Sequence, residues 1–162
     1  MKKLLITLFA VFLLAGCSSA NVETIVDASS YWKDDGESTI TIKELKEELG
    51  NPDSSDEWFY ESLSGTGYGY PIKTLIYDDG AYEYNFNDGI LHRITINKEI
   101  PYDDVSDFLA MFGLSKYRNT EIEDTGVSYR AYNCGVHDLW ILYDSDEKII
   151  ENVKISYSDI FQ

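Results

Sequence analysis

Acidic residues next to glycine are the first candidates for chemistry in this sequence, because carboxylates at a tight turn can hold a calcium ion. They occur at Asp34-Asp35-Gly36, Asp78-Asp79-Gly80 and Asp88-Gly89. A calcium-binding EF-hand loop also needs acidic or amide groups at its first, third and fifth positions before the glycine. In all three stretches the first and third of these positions hold apolar, aromatic or lysine side chains. We therefore interpret the stretches as turns.

Other catalytic and metal-binding patterns are equally weak. His92 and His137 are the two histidines, and neither lies in a His/Cys cluster of the kind that binds zinc. Residues 65–71 are rich in glycine, but no Lys-Ser/Thr pair and no helix start follow, as phosphate binding would require. Glycoside hydrolysis needs only two carboxylates, and none of the 29 acidic residues is singled out. We predict no enzyme activity, no metal and no cofactor, and a small hydrolase is the least favoured alternative.

The N-terminus predicts export and lipid attachment. A positive Met1-Lys2-Lys3 precedes an apolar run over residues 4–14, and Leu14-Ala15-Gly16-Cys17 resembles the lipobox of bacterial lipoproteins. The run has the length of a signal peptide and is too short to cross a bilayer core of about 30 Å. The resemblance implies that Cys17 receives a lipid and becomes the mature N-terminus after residues 1–16 are removed. Since two or three acyl chains anchor a protein firmly, we predict a location on the extracytoplasmic face of the cell membrane.

Composition and charge limit the partners of the mature protein. Loss of the two leader lysines lowers the formal net charge from −16 to −18, which argues against binding nucleic acid. With Cys17 carrying lipid, Cys134 has no disulfide partner within the chain, and we interpret it as a buried or loop thiol. Residues 17–37 are expected to form a flexible tether, and residues 38–162 a single domain.

The domain sequence predicts a helix followed by three strands, and then the same order again. The first helix begins at Thr41, which forms a capping box with Glu44, and the second follows Pro101 and ends at Gly113. Strands are expected at residues 74–78, 81–86, 90–96, 127–133, 138–143 and 149–157. We predict two pseudo-repeats, 38–98 and 99–162, in an α+β fold whose helices pack on one face of antiparallel sheets.

Turn lengths predict which side chains share a sheet face. A three-residue turn at residues 87–89 sets Phe86 opposite Ile90, and a five-residue loop at 144–148 sets Leu139 opposite Val153. The face away from the helices then carries Glu83, Asn85, Leu91, Arg93, Trp140, Leu142, Ile150 and Asn152. Such a mixture of aromatic and polar groups is typical of protein recognition, and packing under the long loops is the alternative.

Two stretches carry a family resemblance. Residues 41–53 resemble the helix and leucine-Gly-x-Pro start of small SmpA/OmlA-like envelope lipoproteins, and residues 82–91 are similar to the aromatic strand and Asp-Gly turn that follow there. Two tandem helix-plus-sheet units are also similar to the β-lactamase-inhibitor-protein-like architecture. The resemblance covers residues 40–96, and 101–157 by pattern only. It implies non-enzymatic protein binding at the cell envelope, without a particular partner.

The candidate binding residues are aromatic or cationic: Trp140, Tyr68, Tyr70, Trp58 and Arg93. They predict a lipid-anchored, non-catalytic module that binds another protein of unknown identity. A receptor for carbohydrate or cell-wall polymer, with rings stacked on sugars, is the alternative. Exposed aromatic side chains flanked by charge would favour the protein, a groove with paired rings would favour the sugar, and two facing buried carboxylates would favour the hydrolase.

Overall fold

One antiparallel sheet dominates the computed structural model, which describes residues 22–33, 38–61 and 69–161. Its strands are β1 (Ser54–Glu61), β2 (Gly69–Tyr77), β3 (Tyr82–Asn87), β4 (Ile90–Ile96), β5 (Ile100–Pro101), β6 (Glu121–Asp124), β7 (Ser128–Tyr132), β8 (Asp138–Asp144) and β9 (Ile149–Ser156). The spatial order is β1-β2-β3-β4-β9-β8-β7-β6, and the short β5 pairs with β9 outside this path. The pairing of β4 with β9 joins the two groups of strands into a single sheet.

The prediction of an α+β fold with helices packed on the sheets was wrong. The described part of the chain has only two short α-helices, α1 (Ile42–Leu49) and α2 (Phe108–Met111), and three single-turn 3₁₀ segments. The second helix is short because the residues before it, Val105–Asp107, form one of these 3₁₀ segments. It ends before Gly113, which has a φ of +64°, and Phe108 and Phe112 turn into the core. No helix within the described ranges is long and apolar enough to cross a membrane.

The predicted start of the first helix is confirmed. The Thr41 hydroxyl accepts a hydrogen bond from the Glu44 amide at 3.3 Å, and the Glu44 carboxylate accepts one from the Thr41 amide at 2.6 Å. This capping box satisfies two amide groups that the first turn leaves without partners. It holds α1 so that Leu45 is fully buried against the sheet.

The turn between β3 and β4 has two residues rather than the three that we predicted. Asp88 and Gly89 have φ values of +50° and +78°, as a type I′ turn requires, and Asn87 opposes Ile90. The predicted pairing of Phe86 with Ile90 is therefore wrong. Asp-Gly favours this turn because both residues tolerate positive φ.

A β-bulge at His92 then changes which side chains of the hairpin face the core. The register shifts by one residue on β4, so that Tyr84 opposes Ile94 and not His92 as predicted. The shift also moves Leu91 to the core face, where it is fully buried. A bulge places two residues of one strand opposite one residue of the other, and it thereby restores apolar pairing beyond the tight turn.

The hairpin of β8 and β9 contains a second bulge. The loop between them has four residues rather than the predicted five, since Asp144 opposes Ile149, and the register shifts again at Glu151. Leu139 therefore opposes Ile155 rather than the predicted Val153. As a result Ile150, which we had predicted on the outer face, is fully buried in the core. Both hairpins depart from the predicted registers for the same two reasons: the loop is one residue shorter than predicted, and a bulge shifts the register by one more residue.

The core covers one face of the sheet and includes the N-terminal segment. Residues 22–33 fall within the stretch 17–37 that the sequence predicts to be a tether, yet Ala28 and Tyr31 are buried in the core cluster. The amides of Ile25 and Ala28 donate hydrogen bonds at 2.8 and 3.0 Å to the carbonyls of Met111 and Phe112. Residues 22–33 therefore belong to the folded domain.

The opposite face of the sheet, called the open face below, is far more polar. Six of the eight side chains predicted there remain on it after the two bulges: Glu83, Asn85, Arg93, Trp140, Leu142 and Asn152. The predicted binding residues Trp58, Arg93 and Trp140 lie on this face.

Candidate binding face

A row of polar side chains crosses the open face over five neighbouring strands. Its members are direct partners in the sheet: Thr74, Asn85, Arg93, Ser156 and Asp138. All except Arg93 are at most 4% exposed. Thr74 donates to Asn85 at 2.8 Å, and Nε of Arg93 donates to Ser156 at 3.2 Å. Within the described residues no buried side-chain nitrogen or oxygen lacks a partner, so the row is a satisfied polar layer.

An aromatic cluster lies at the β1 end of this row. The indole of Trp58 donates to Thr74 at 2.9 Å, and its ring lies 6.1 Å from the ring of Tyr60. Phe161, which follows β9, completes the cluster with ring-centroid distances of 6.4 Å to Trp58 and 5.1 Å to Tyr60. Trp58 nevertheless remains 40% exposed, which leaves part of the indole free to contact another molecule.

Arg93 joins the aromatic cluster to the polar row. Its guanidinium lies 4.0 Å from the centroid of the Phe161 ring and donates to the Phe161 carbonyl at 3.2 Å. Among the described residues no carboxylate comes within ion-pair distance of it. Burial lowers the pKa of Arg93 to about 10, so that the group remains charged at neutral pH. Its positive charge is therefore held by a ring and neutral acceptors, and no acid neutralises it.

Trp140 lies further across the face and stacks against a lysine. The Lys154 ammonium is 4.7 Å from the centroid of the indole ring, while the indole nitrogen donates to Ser128 at 2.8 Å. Burial, together with the positive charge of Arg93, lowers the pKa of Lys154. Two cations are thus held on the same face although they repel each other.

A third cation, Arg130, is held by an acid and a ring. Two of its nitrogens donate to the two carboxylate oxygens of Asp138 at 2.8 and 2.9 Å, and its guanidinium lies 4.8 Å from the centroid of the Tyr132 ring. Asp138 is 4% exposed and needs this pairing, because an unpaired buried carboxylate is costly. The side chain of Arg130 is about a third exposed, so it also faces solvent.

Three cations of this acidic chain are gathered on the open face. The whole chain carries a formal charge of −16, yet Arg93, Lys154 and Arg130 gather on four adjacent strands. Carboxylates accompany these cations: Asp138 on β8 pairs with Arg130, and Glu83 on β3 lies in the same row as Lys154. Asp56 and Glu123 lie opposite Thr74 and Arg130 on the two edge strands. The centre of the face therefore combines three cations, each stacked on an aromatic ring, with carboxylates beside them.

The structure brings together four of the predicted binding residues. Trp58, Arg93 and Trp140 lie on the open face as described, and Tyr70 stands opposite Tyr60 at the end of β2. Tyr68 and the predicted lipidation site Cys17 lie outside the described residues. Sequence reasoning missed Phe161, Lys154 and Arg130 as members of this face. The alternation along β7 and β9 could have indicated the two cations, whereas no pattern indicates that Phe161 folds back.

We expect Phe161→Ala to loosen the aromatic cluster without unfolding the domain. The ring is 8% exposed, so its removal should lower the free energy of unfolding by about 1–3 kcal/mol and leave Arg93 without its ring contact. Urea unfolding measures the first effect, and acrylamide quenching of tryptophan fluorescence should increase as Trp58 becomes more accessible. The neighbouring truncation Ile160→Ala serves as the control, and equal quenching in both variants would contradict the role given to Phe161.

Metal binding and thiol chemistry have no support in the described part of the chain. No group of three or more His, Cys, Asp or Glu side chains there is arranged to hold a metal ion. Cys134 is fully buried, its thiol donates to the Ala131 carbonyl at 3.6 Å, and burial raises its pKa. A thiol that stays protonated and covered is a poor nucleophile, as predicted for this position.

Comparison with known proteins identifies the class through the N-terminus. Residues 1–18 match a family model described as a prokaryotic membrane lipoprotein lipid attachment site. The chain is thus assigned to the membrane-anchored lipoproteins by its attachment site. Searches of curated proteins and of solved structures found no significant match. The match does not extend to the domain, and it shows no relation to the SmpA/OmlA-like or β-lactamase-inhibitor-protein-like families.

Proposed function

We propose that this lipoprotein is a non-catalytic module on the extracytoplasmic face of the membrane, and that its open face binds an acidic patch on another protein. The observation that carries the proposal is the cluster of three cations stacked on aromatic rings on the open face of a strongly acidic chain. Tryptophan, tyrosine and arginine are the residue types that contribute most to protein interfaces. Of the three cations, Arg93 and Lys154 have no carboxylate within ion-pair distance among the described residues, so they can pair with acids of a partner.

The carbohydrate alternative is less favoured because the ring faces are already in use. Lys154 covers one face of Trp140, Arg130 covers Tyr132, and Arg93 covers Phe161. Stacking on a sugar needs an open ring face, and a strongly hydrated polymer would have to displace these cations. A protein partner needs no such displacement, since it can contact the exposed edge of Trp58 and the charged groups directly.

The hydrolase alternative lacks its paired acids. Among the described residues Asp138 is the one buried carboxylate, and both of its oxygens accept hydrogen bonds from Arg130. A general acid or base must reach a substrate with one of its oxygens, whereas both oxygens of this carboxylate are taken up by Arg130. This arrangement suits a structural role for Asp138 beneath the surface.

The proposal predicts that Lys154→Glu abolishes capture of the partner. The substitution replaces a central cation by an acid, places like charge against an acidic partner and removes no hydrogen bond of the polar row. Lys116→Glu is the matched control, because it makes the same change of charge at an exposed lysine outside the sheet. Chemical crosslinking of the full-length lipoprotein in its own cells, followed by affinity purification, measures the capture.

The expected result is one protein that is crosslinked to the wild type and to Lys116→Glu, and that is lost from Lys154→Glu. Its capture should also weaken when the salt concentration is raised, since exposed charge pairs are screened. Circular dichroism verifies that both variants are folded. Equal capture by Lys154→Glu and Lys116→Glu, or capture of glycan alone, would overturn the proposal.

A further inference from the structure

A second recess lies on the core side of the sheet, away from the open face. It is a cavity of about 680 Å³ between the N-terminal segment, the end of α1 and the turn that joins β2 to β3. This volume falls within the range of roughly 300–1,000 Å³ that is typical of small-molecule sites. Neither the lipid anchor nor the proposed protein-binding face uses it.

Four tyrosines line the cavity: Tyr31, Tyr77, Tyr82 and Tyr84. The rings of Tyr31 and Tyr77 meet that of Tyr84 edge to face, with centroid distances of 6.0 and 5.6 Å. The hydroxyls of Tyr31 and Tyr84 are 3.4 Å apart, so they form one hydrogen-bonded pair. Because these contacts fix the rings, the cavity has a rigid aromatic wall.

One of these rings already attracts a cation from within the chain. The Lys98 ammonium lies 4.5 Å from the centroid of the Tyr82 ring, and this is the distance of a cation–π contact. The negative face of an aromatic ring attracts any ammonium group in this way, whether it belongs to the chain or to a ligand.

The charged side chains that line the cavity are all acidic: Asp27, Glu48, Asp53, Asp78 and Asp79. Within the described residues none of them takes part in an ion pair. The C-terminal end of α1 adds the Gly50 carbonyl, which accepts a hydrogen bond from Tyr77 at 3.1 Å. Burial raises the pKa of Tyr31, and the charges of Glu48 and Asp27 raise it further. The cavity therefore combines an aromatic wall with uncompensated negative charge.

The spacing of the carboxylates argues against a metal ion as the ligand. No three of them are arranged to hold a metal ion in the described part of the chain. A ligand that satisfies separated carboxylates and also contacts rings must be extended, partly apolar and positively charged. An alkylammonium chain has all three properties, because its methylene groups pack on rings while its ammonium groups reach the acids.

We propose that this tyrosine-lined cavity binds an alkylammonium group, supplied either by a free polyamine or by a lysine side chain. The rings take up the methylene chain and the cation, and the carboxylates at the mouth hold the ammonium by charge-assisted hydrogen bonds. The inference is independent of the partner proposed for the open face.

Isothermal titration calorimetry on the detergent-solubilised full-length lipoprotein tests this site. The probes are spermidine and Nα-acetyl-lysine methylamide, and the controls are 1,8-octanediol and magnesium chloride. At least one ammonium probe is expected to bind with a dissociation constant below about 1 mM, whereas the diol and magnesium do not. Binding of spermidine alone would identify the ligand as a free polyamine. Binding of the lysine derivative alone would identify it as a lysine side chain of another protein.

Two variants distinguish the cavity from general attraction to an acidic protein. Tyr77→Leu removes a ring, and Asp53→Asn removes a charge while keeping an acceptor for the Asp79 amide. Each is expected to weaken binding by about fivefold or more, while Glu147→Gln, on an exposed loop, leaves it unchanged. Absence of binding at about 1 mM, equal binding of magnesium, or equal affinity in Asp53→Asn and Glu147→Gln would overturn the proposal.

Discussion

Replacing Cys17 by serine is expected to abolish incorporation of fatty acid into the protein, whereas Cys134→Ala leaves it unchanged. The lipid is predicted to be attached through a thioether, and a serine hydroxyl cannot take the place of the thiol. Residues 1–18 match a lipid attachment site, while Cys134 is fully buried in the domain. Metabolic labelling with an alkyne fatty acid, followed by gel fluorescence, measures the incorporation in cells.

The same pair of variants also tests the assigned site of cleavage. Mass spectrometry of the wild type should show a mature chain that begins at residue 17 and carries two or three acyl groups. Cys17→Ser should retain its leader, because removal is predicted to follow lipidation. Equal labelling of wild type and Cys17→Ser would contradict the assignment of Cys17. Loss of label in Cys134→Ala would indicate that the lipid is attached to Cys134 instead.

Gly113→Ala is expected to destabilise the domain by about 2–4 kcal/mol. Gly113 has a φ of +64°, and an added Cβ would lie 2.8 Å from Cα of Asp27. Because that atom belongs to the backbone, the N-terminal segment would have to move away. The hydrogen bond from Ala28 to the Phe112 carbonyl would then be lost together with the burial of Ala28.

Gly126→Ala is the matched control for this effect. Gly126 has a φ of +85°, but no atom lies within 4 Å of the position of an added Cβ. Gly126→Ala should therefore lower the free energy of unfolding only by the cost of placing alanine at a positive φ, about 1–2 kcal/mol. Urea unfolding compares the two free energies, and equal losses would show that the N-terminal segment contributes nothing to stability.

The strands with buried faces could be predicted from sequence, whereas the edge strands could not. Residues of β3, β4, β8 and β9 alternate between apolar and polar types, and the predicted ranges differ from the observed ones by at most one residue at either end. Strands β1 and β6 are exposed on nearly every side chain, so they lack this alternation. The single sheet was missed for a related reason, since the pairing of β4 with β9 joins segments far apart in the chain.

The two bulges explain why the registers could not be predicted. Turn chemistry favours Asp88-Gly89 as a two-residue loop, but that register alone would set Tyr84 opposite Arg93. The structure keeps the tight turn and inserts His92 as an extra residue, which lets Tyr84 meet Ile94. The position of the bulge is set by packing against the core, and the local sequence does not encode it.

The sequence indicated which large side chains lie at the candidate site, but it did not indicate which residues they contact. Trp58, Arg93 and Trp140 are conspicuous by residue type, and all three lie on the open face. Their stacking partners Phe161 and Lys154 depend on the fold-back of the chain end and on the sheet register. The cluster of three cations likewise forms only when β4, β9 and β7 come together in the sheet.

Site-specific photo-crosslinking from β1 tests the proposed function most directly. A benzoylphenylalanine at position 58 points from the open face, and the same group at position 59 points from the opposite face of the same strand. In living cells we predict a single protein adduct from position 58 and none from position 59. Adducts of equal yield from both positions, or an adduct from position 59 alone, would contradict the assignment of the open face as the binding surface.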